Sequence, residues 1–480
     1  MQRADMGQFG LLSQPWQWWD ANRRLALRVA IIAGVLLGSA AFALRPSIQA
    51  VVLMLGAATI FAFVRWPAVG LVGLVVGTLT VPFEIGTGTE TRVNLAALLI
   101  GLLTVVWLLE MIRRRELRLV AAEPIAPLLA LLAIVLLAFV AGVQPWLPFA
   151  RTASLPAQVG GLALFYLSAG AFLLAAHLIR DMRPLQWLTG VFLATGAVHI
   201  AARLVPAGAV VIHLLLGRDA LGSLFWVWLV ALAFSQAVFN RALAPPWRLA
   251  LAGLVAATLY DAMGTNRDWL SGWVPALVAI AVILVVGAPR LGPWLLASAG
   301  LIVLTNLPRF APLVASGDNE YSASTRLDAW RILAEIIAIN PVLGVGLSNY
   351  YWYTPLFPIR GYAVSFNSHN NYIDLAAQTG LLGLGCFLLF VAALGRLGWR
   401  LRHRAPEGFP RAYVYGALGG LAGTLVAAGL GDWVVPFVYN IGYSGFRISV
   451  LGWLFLGGLV ALGQIVARNS PVAGASSATH

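Results

Sequence analysis

Lysine is absent from this 480-residue sequence, and charged residues of every kind make up only 10% of it, whereas 60% of its residues are hydrophobic. Soluble domains usually contain about 25% charged residues, so this composition excludes an ordinary soluble protein. Uninterrupted apolar runs recur along the whole length, each long enough to cross the roughly 30 Å hydrocarbon core of a bilayer. Because these runs do not alternate with polar residues, they predict membrane-spanning helices rather than barrel strands.

Cysteine is nearly absent as well: the single residue Cys386 excludes a disulfide within the chain. All 31 basic residues are arginines, and the formal net charge is +13. Basic residues collect in the cytoplasmic loops of membrane proteins, which explains the excess without a nucleic-acid partner. The predicted partner is a lipid bilayer, and no nucleic acid is expected.

The predicted fold is an all-α, polytopic transmembrane bundle of about 12–14 spans with one long extracytoplasmic loop. With the N-terminus inside, twenty arginines fall in inner loops and eleven in outer ones, which is the asymmetry that orients membrane proteins. The expected spans cover residues 27–44, 47–64, 67–83, 93–112, 122–143, 157–179, 185–203, 220–240, 247–263, 269–288, 291–306, 372–394, 412–430 and 447–467.

These spans divide the chain into four expected parts. An N-terminal transmembrane bundle covers residues 1–306, and the long extracytoplasmic loop covers residues 307–371. C-terminal transmembrane helices follow over residues 372–467, and a cytoplasmic tail covers residues 468–480.

The long loop is predicted to contain its own amphipathic helix. Thr325-x-x-Asp328 is a plausible capping box at its start, and Asn340-Pro341 marks its end. The apolar positions then share one face, so the helix is expected to lie flat at the outer membrane interface, unless it is an ordinary surface helix. These positions are Leu327, Trp330, Leu333, Ile336 and Ile337.

A glycine-containing segment follows this helix. Gly344 and Gly346 lie two residues apart and predict either a tight turn or a close approach of the backbone to a ligand. No strand or third glycine accompanies them, so they are not a dinucleotide-binding fingerprint.

A polar cluster, Ser368-His369-Asn370, precedes the helix that starts near Tyr372. A helix N-terminus attracts anions, and a histidine there can exchange a proton near neutral pH. Helix capping alone explains the serine and the asparagine but leaves the histidine unexplained. Of the six histidines, only His369 is in a polar outer segment beside several arginines, so it is the histidine best placed for such a proton exchange.

Three segments in this order resemble the O-antigen ligase/polymerase family of bacterial membrane glycosyltransferases. The first is TNRDWLSGWVPALV, a short outer loop in which Arg267 precedes an apolar helix. The second is STRLDAWRILAEIIAINPVLGVGLSNY, with Arg326 near its start. The third is SHNNYIDLAAQTGLLGLG, which is similar to the family's His-Asn-x-Tyr segment and the glycine-containing helix after it.

The resemblance implies transfer of a glycan from a polyprenyl-diphosphate-linked donor to an acceptor hydroxyl of a glycan, lipid or protein. The expected location is the extracytoplasmic face of the bacterial cytoplasmic membrane. His369 is the expected base, and Arg267 and Arg326 are expected to bind the diphosphate. The expected mechanism inverts the anomeric centre and needs no cofactor or metal. Arg360 is a further candidate by position, and Asn370 and Tyr372 are expected to orient the histidine or bind sugar.

Three alternatives stay open at this point. The chain could be a polymerase that joins carrier-linked repeat units instead of a ligase, since the motifs are common to both. An anion or lipid transporter also has many spans, but the polar residues here gather at one face rather than at the midplane. A metal-dependent reaction would have to use Asp318-Asn319-Glu320, Asp261 and Asp268, which is a thin set of ligands.

Overall fold

The computed structural model describes residues 61, 65–81, 83–86, 92–116, 119–210, 222–266, 269–306 and 318–469. The predicted spans 27–44 and 47–64 lie almost wholly outside these residues, as do Arg267 and most of the C-terminal tail. The chain divides into two units, Met1–Trp66 and Pro67–His480, and every element named below belongs to the second unit.

Helices make up most of the described part of this second unit, and a small antiparallel pair of strands, β1 (Glu84–Gly86) and β2 (Arg92–Asn94), accompanies them. The expected spans from residue 67 onwards are all present as helices. The helices are α1 Pro67–Thr80, α2 Leu95–Arg113, α3 Ile125–Ala141, α4 Leu155–Leu178, α5 Met182–Arg203, α6 Ser223–Phe239, α7 Pro245–Tyr260, α8 Leu270–Gly287, α9 Gly292–Thr305, α10 Asp318–Ile339, α11 Tyr350–Tyr353, α12 Asn371–Arg404, α13 Phe409–Leu430 and α14 Gly442–Arg468.

Length and composition identify the helices that can cross a membrane. Among the described residues, seven are long and apolar enough, namely α2, α4, α5, α8, α12, α13 and α14. Helices α3, α6 and α9, and most of α1, are shorter but equally apolar. The predicted fold class, a polytopic all-α membrane protein, is therefore confirmed, whereas the proposed domain boundaries stay a prediction.

Contacts near the helix ends agree with the alternation of spans. On the predicted inner side, Arg400 in the last turns of α12 forms a 2.6 Å ion pair with Glu123, which lies just before α3. On the predicted outer side, the hydroxyl of Tyr353 accepts a hydrogen bond of 2.7 Å from the backbone N–H of Trp146. Segments that the arginine pattern assigns to one side thus contact one another.

Helix α13 packs closely against α6 and α8 because one of its faces lacks side chains. A Cβ atom added at Gly423 would lie 2.6 Å from the carbonyl oxygen of Pro275 in α8. One added at Gly420 would lie 2.6 Å from the ring of Trp228 in α6. Small residues are the usual means by which membrane helices approach closely, since lipid supplies no hydrophobic force between them.

The predicted loop helix is present as α10, but its predicted start is wrong. Helix α10 begins at Asp318, so the predicted capping box at Thr325 lies inside it. No glycine or proline interrupts the sequence between these two positions, and the helix therefore extends further back. Its end at Ile339, directly before Asn340-Pro341, is as predicted.

The apolar face of α10 contacts protein rather than a membrane surface at its central positions. Leu333 and Ile336 are fully buried in a cluster with Tyr350, Phe437 and Ala377. This packing fixes α10 against the start of α12 and the loop between α13 and α14. At these positions, the face that was expected to lie on lipid is therefore buried against other parts of the protein.

Helix α12 is divided at Gly380, which has a φ of 68°. The backbone N–H of Leu381, which begins the second part, donates to the carbonyl of Pro341 at 2.8 Å. In return, the carbonyl of Ala377 accepts from the N–H of Val345 at 2.9 Å. A turn formed by residues 341–346 therefore satisfies backbone groups that the break in the helix leaves free.

This interlock explains the glycines of that turn. Gly344 has a φ of 70°, and a Cβ atom there would lie 2.6 Å from the carbonyl oxygen of Ala377. Gly346 has a φ of 93°, and a Cβ atom there would lie 2.4 Å from the Cα of Gly142. The glycines thus permit a turn with close backbone contacts, and the contacts are made with protein rather than with a ligand.

Replacement of Gly380 by alanine should destabilise the protein by about 3 kcal/mol or more, because the residue would be strained and its Cβ would lie 2.0 Å from the carbonyl oxygen of Val342. The matched control is Gly385→Ala in the same helix, where a Cβ meets nothing within 4 Å. Thermal unfolding of both variants in detergent checks this. Equal melting temperatures would contradict the interlock.

Candidate active site

A cavity of about 330 Å³ lies between α10, α11, the segment before α12 and the loop between α13 and α14. It brings together two of the sequence-predicted site residues, Arg326 and His369. The residues that line it are Thr325, Arg326, Ala329, Tyr351, Ile359, Val364, Ser365, Phe366, Asn367, His369 and Tyr439.

His369 lies in a tight turn directly before α12. The side chain of Asn370 caps the helix, since its amide oxygen accepts hydrogen bonds from the N–H groups of Tyr372 at 2.9 Å and Ile373 at 3.4 Å. His369 itself has a φ of 47°, in the left-handed region that few residues other than glycine adopt. The surrounding structure must hold this conformation, as it often does at functional sites.

A buried carboxyl group stabilises the turn through hydrogen bonds. Asp374, in the first turn of α12, accepts hydrogen bonds on Oδ1 from the hydroxyls of Ser368 at 2.7 Å and Tyr350 at 2.5 Å. Burial, followed by the charge of Asp374, raises the pKa of Tyr350 well above its ordinary value, so its hydroxyl stays a donor. The carbonyl of Ser368 also accepts from the indole of Trp330 at 2.8 Å.

Arg326 reaches the cavity from α10. Its guanidinium is half-buried, and it donates a hydrogen bond of 3.3 Å to the carbonyl of Leu430 at the end of α13. Burial lowers the pKa of Arg326 from its ordinary value, but an arginine side chain stays protonated in proteins. A permanent positive charge that is partly shielded from water is therefore available in the cavity.

The same charge acts on the histidine. Burial, and then the nearby Arg326, lower the pKa of His369 below its ordinary value of 6.5. The imidazole is consequently neutral at neutral pH and able to accept a proton. A neutral base and a fixed cation in one cavity can together deprotonate a hydroxyl and stabilise an anionic leaving group.

The remaining predicted site residues have other partners or lie outside the described chain. Arg360 pairs with Asp328 at 2.8 Å and does not line the cavity. Asn370 is the buried helix cap, and the hydroxyl of Tyr372 donates to the carbonyl of Leu425 at 2.8 Å. The position of Arg267 is not among the described residues.

Asp261 is the residue among the candidate metal ligands whose side chain the structure describes. Asp261 is buried and forms a 2.8 Å ion pair with Arg203. Within the described ranges, no group of three or more histidine, cysteine, aspartate or glutamate side chains is placed to hold a metal ion.

Sequence reasoning missed Asp374 and Tyr350. The sequence did contain one signal for Asp374. It lies four residues after Asn370 at the start of a helix, and residues with this spacing share one helix face. Tyr350 gave no such signal, because its bond to Asp374 joins residues that are 24 positions apart.

Replacement of Arg326 by glutamine should raise the pKa of His369, because one of the two causes that lower it is removed. The control is Arg331→Gln, which removes an exposed arginine from the same helix. Modification of His369 by diethyl pyrocarbonate, followed by mass spectrometry across pH, reports the neutral imidazole. The midpoint should move to higher pH in R326Q only. An unchanged midpoint would mean that the two groups do not interact.

One part of the chain matches a known protein family. Residues 247–388 match the family model described as O-Antigen ligase, and this segment contains both Arg326 and His369. No curated protein matches the chain significantly. The resemblance of the motifs and the multi-pass helical fold agree with the family match. The matched segment therefore supports the resemblance to the O-antigen ligase family that the sequence motifs indicate.

Proposed function

We propose that this protein is a glycan ligase that transfers an oligosaccharide from a polyprenyl-diphosphate donor to an acceptor hydroxyl at the outer face of the cytoplasmic membrane. The observation that carries the proposal is the shared cavity of His369 and Arg326, two residues that both lie within the matched family segment. The arginine asymmetry of the loops supports the outer location of this cavity.

The proposed reaction is a single displacement. The neutral imidazole of His369 takes the proton of the acceptor hydroxyl as its oxygen forms a bond to the anomeric carbon of the donor sugar. The bond from that carbon to the phosphate oxygen breaks, and the polyprenyl diphosphate leaves with the electron pair. Direct attack from the opposite side inverts the anomeric centre. The proton on His369 then passes to solvent.

Positive charge in the cavity favours this step. Negative charge grows on the diphosphate as the glycosidic bond breaks, and Arg326 is already partly desolvated and held by its bond to Leu430. Its position therefore needs little reorganisation during the reaction. We propose that Arg267 assists from the short outer loop and that no metal ion is required, since these cations supply the charge.

A polymerase that joins two carrier-linked repeat units would use the same step, with a sugar hydroxyl of a second carrier-linked unit as the acceptor. The family match is compatible with both activities. Only the acceptor separates them, so the product pattern decides between ligase and polymerase.

Replacement of His369 by alanine should reduce transfer roughly 10²-fold or more, the usual contribution of a general base. The control is His403→Ala, an exposed histidine at the opposite end of α12.

Replacement of Arg326 by glutamine should reduce transfer roughly 10²–10³-fold, as for other groups that stabilise developing charge, whereas R331Q should leave transfer unchanged. The assay uses purified protein in nanodiscs with the host's own polyprenyl-diphosphate oligosaccharide and resolves products by size.

The products also distinguish the two activities. A ladder of lengthening glycans without any added acceptor would identify a polymerase, and transfer only after addition of a distinct acceptor would identify a ligase. Full transfer by a well-folded H369A variant would exclude the histidine as the base.

A further inference from the structure

Two aromatic side chains form one side of the cavity. The rings of Tyr351 and Tyr439 stack with centroids 4.7 Å apart and an angle of 15° between their planes, and both residues line the cavity with His369 and Arg326. We call this pair the aromatic wall. Trp352 packs edge-on against Tyr439 at 5.8 Å and fixes the wall from another side.

The two neighbouring tyrosines differ from Tyr351 in burial and in hydrogen bonding, so the wall is not simply part of the hydrophobic core. Tyr350 and Tyr353 are fully buried, and their hydroxyls bond to Asp374 and to the backbone of Trp146. Tyr351 is only half-buried, and its hydroxyl forms no hydrogen bond with the part of the chain that the structure describes. Of these three tyrosines, the one on the cavity is the one with a free polar group.

A second polar group on the cavity is also unpaired. Asn367 lines the cavity, and its buried amide oxygen has no hydrogen-bond partner among the described residues. A buried amide oxygen without a partner costs free energy, so a ligand that donates to it would be stabilised. The hydroxyl of Ser365 is a further polar group on the same surface.

These groups match the chemistry of a pyranose ring. A hexose in its chair form has an apolar face of C–H groups, which packs against the negative face of an aromatic ring, and a rim of hydroxyls, which need donors and acceptors. A volume of about 330 Å³ suits a small polar ligand rather than a polyprenyl chain. The lipid tail would instead contact the apolar helices.

We propose that the aromatic wall and Asn367 form a pyranose-binding subsite that holds a sugar ring of the glycan beside His369. The assignment rests on the proposed transfer reaction for its link to His369, but binding of the sugar does not require the reaction to occur. Arg326, in the same cavity, would bind the diphosphate, so one cavity would recognise both parts of the sugar–diphosphate junction.

The test is equilibrium binding of the carrier-free oligosaccharide, released from the host's polyprenyl-diphosphate glycan and radiolabelled. Tyr351→Leu removes one ring of the wall and should raise Kd roughly two- to tenfold, which corresponds to the usual contribution of an aromatic contact. Tyr351→Phe keeps the ring and should retain more of the affinity. The matched control is Tyr362→Leu, an exposed tyrosine at a hairpin turn outside the cavity, which should leave Kd unchanged.

Two results would overturn the subsite. Either wild-type protein does not bind the oligosaccharide, or Y351L and Asn367→Ala bind it as tightly as wild type while unfolding normally. The base assignment is tested separately, because H369A should still bind the oligosaccharide. Retained binding in H369A together with retained transfer would reject the base but not the subsite.

The same oligosaccharide also shows which sugar occupies the wall. Inhibition of transfer that is competitive with the donor would assign the subsite to the donor glycan. Inhibition that is competitive with the acceptor would assign it to the acceptor glycan.

Discussion

The structure of the site depends on one backbone interlock, in which the turn of residues 341–346 satisfies the groups freed by the break of α12 at Gly380. Broken helices are tolerated near a membrane only where protein satisfies the backbone, since each unpaired polar group is costly there. The interlock fixes two short pieces at once: the first turns of α12 behind His369, and the start of α11 with Tyr350 and Tyr351. A mobile loop would not hold a histidine with a left-handed backbone conformation.

The burial and charge of two side chains then determine which chemistry this site can support. The cavity places a neutral histidine near a fixed arginine, and each has a lowered pKa because burial removes water from its surroundings. Low solvation strengthens the interaction of the arginine with the anionic leaving group. The carboxyl group of Asp374 does not line the cavity, and it accepts hydrogen bonds from Ser368 and Tyr350. These bonds stabilise the turn that contains His369.

Much of the fold was predictable because hydrophobic run length is a strong local signal. The spans from residue 67 onwards, the end of α10 and the cap at Asn370 were all evident in the sequence. His369 and Arg326 were predictable as candidates because a charged or titratable group is rare in so apolar a chain. The structure brings them into one cavity, although their chemical roles stay predictions.

The rest depends on contacts between distant positions. Arg360 was a candidate from its loop position, but its pairing with Asp328 is visible only in three dimensions. The glycines at 344, 346 and 380 were visible as glycines, yet their use in one interlock required the backbone path. The aromatic wall joins Tyr351 to Tyr439, 88 positions later in the sequence, and no local pattern connects them.

The most direct test of the central claim is an electron cryo-microscopy structure of the H369A variant in nanodiscs with its uncleaved polyprenyl-diphosphate donor. The account predicts that the diphosphate contacts Arg326 and that the anomeric carbon of the first sugar faces the position of the missing imidazole. A donor bound with its diphosphate away from Arg326, or with its first sugar outside this cavity, would contradict the account.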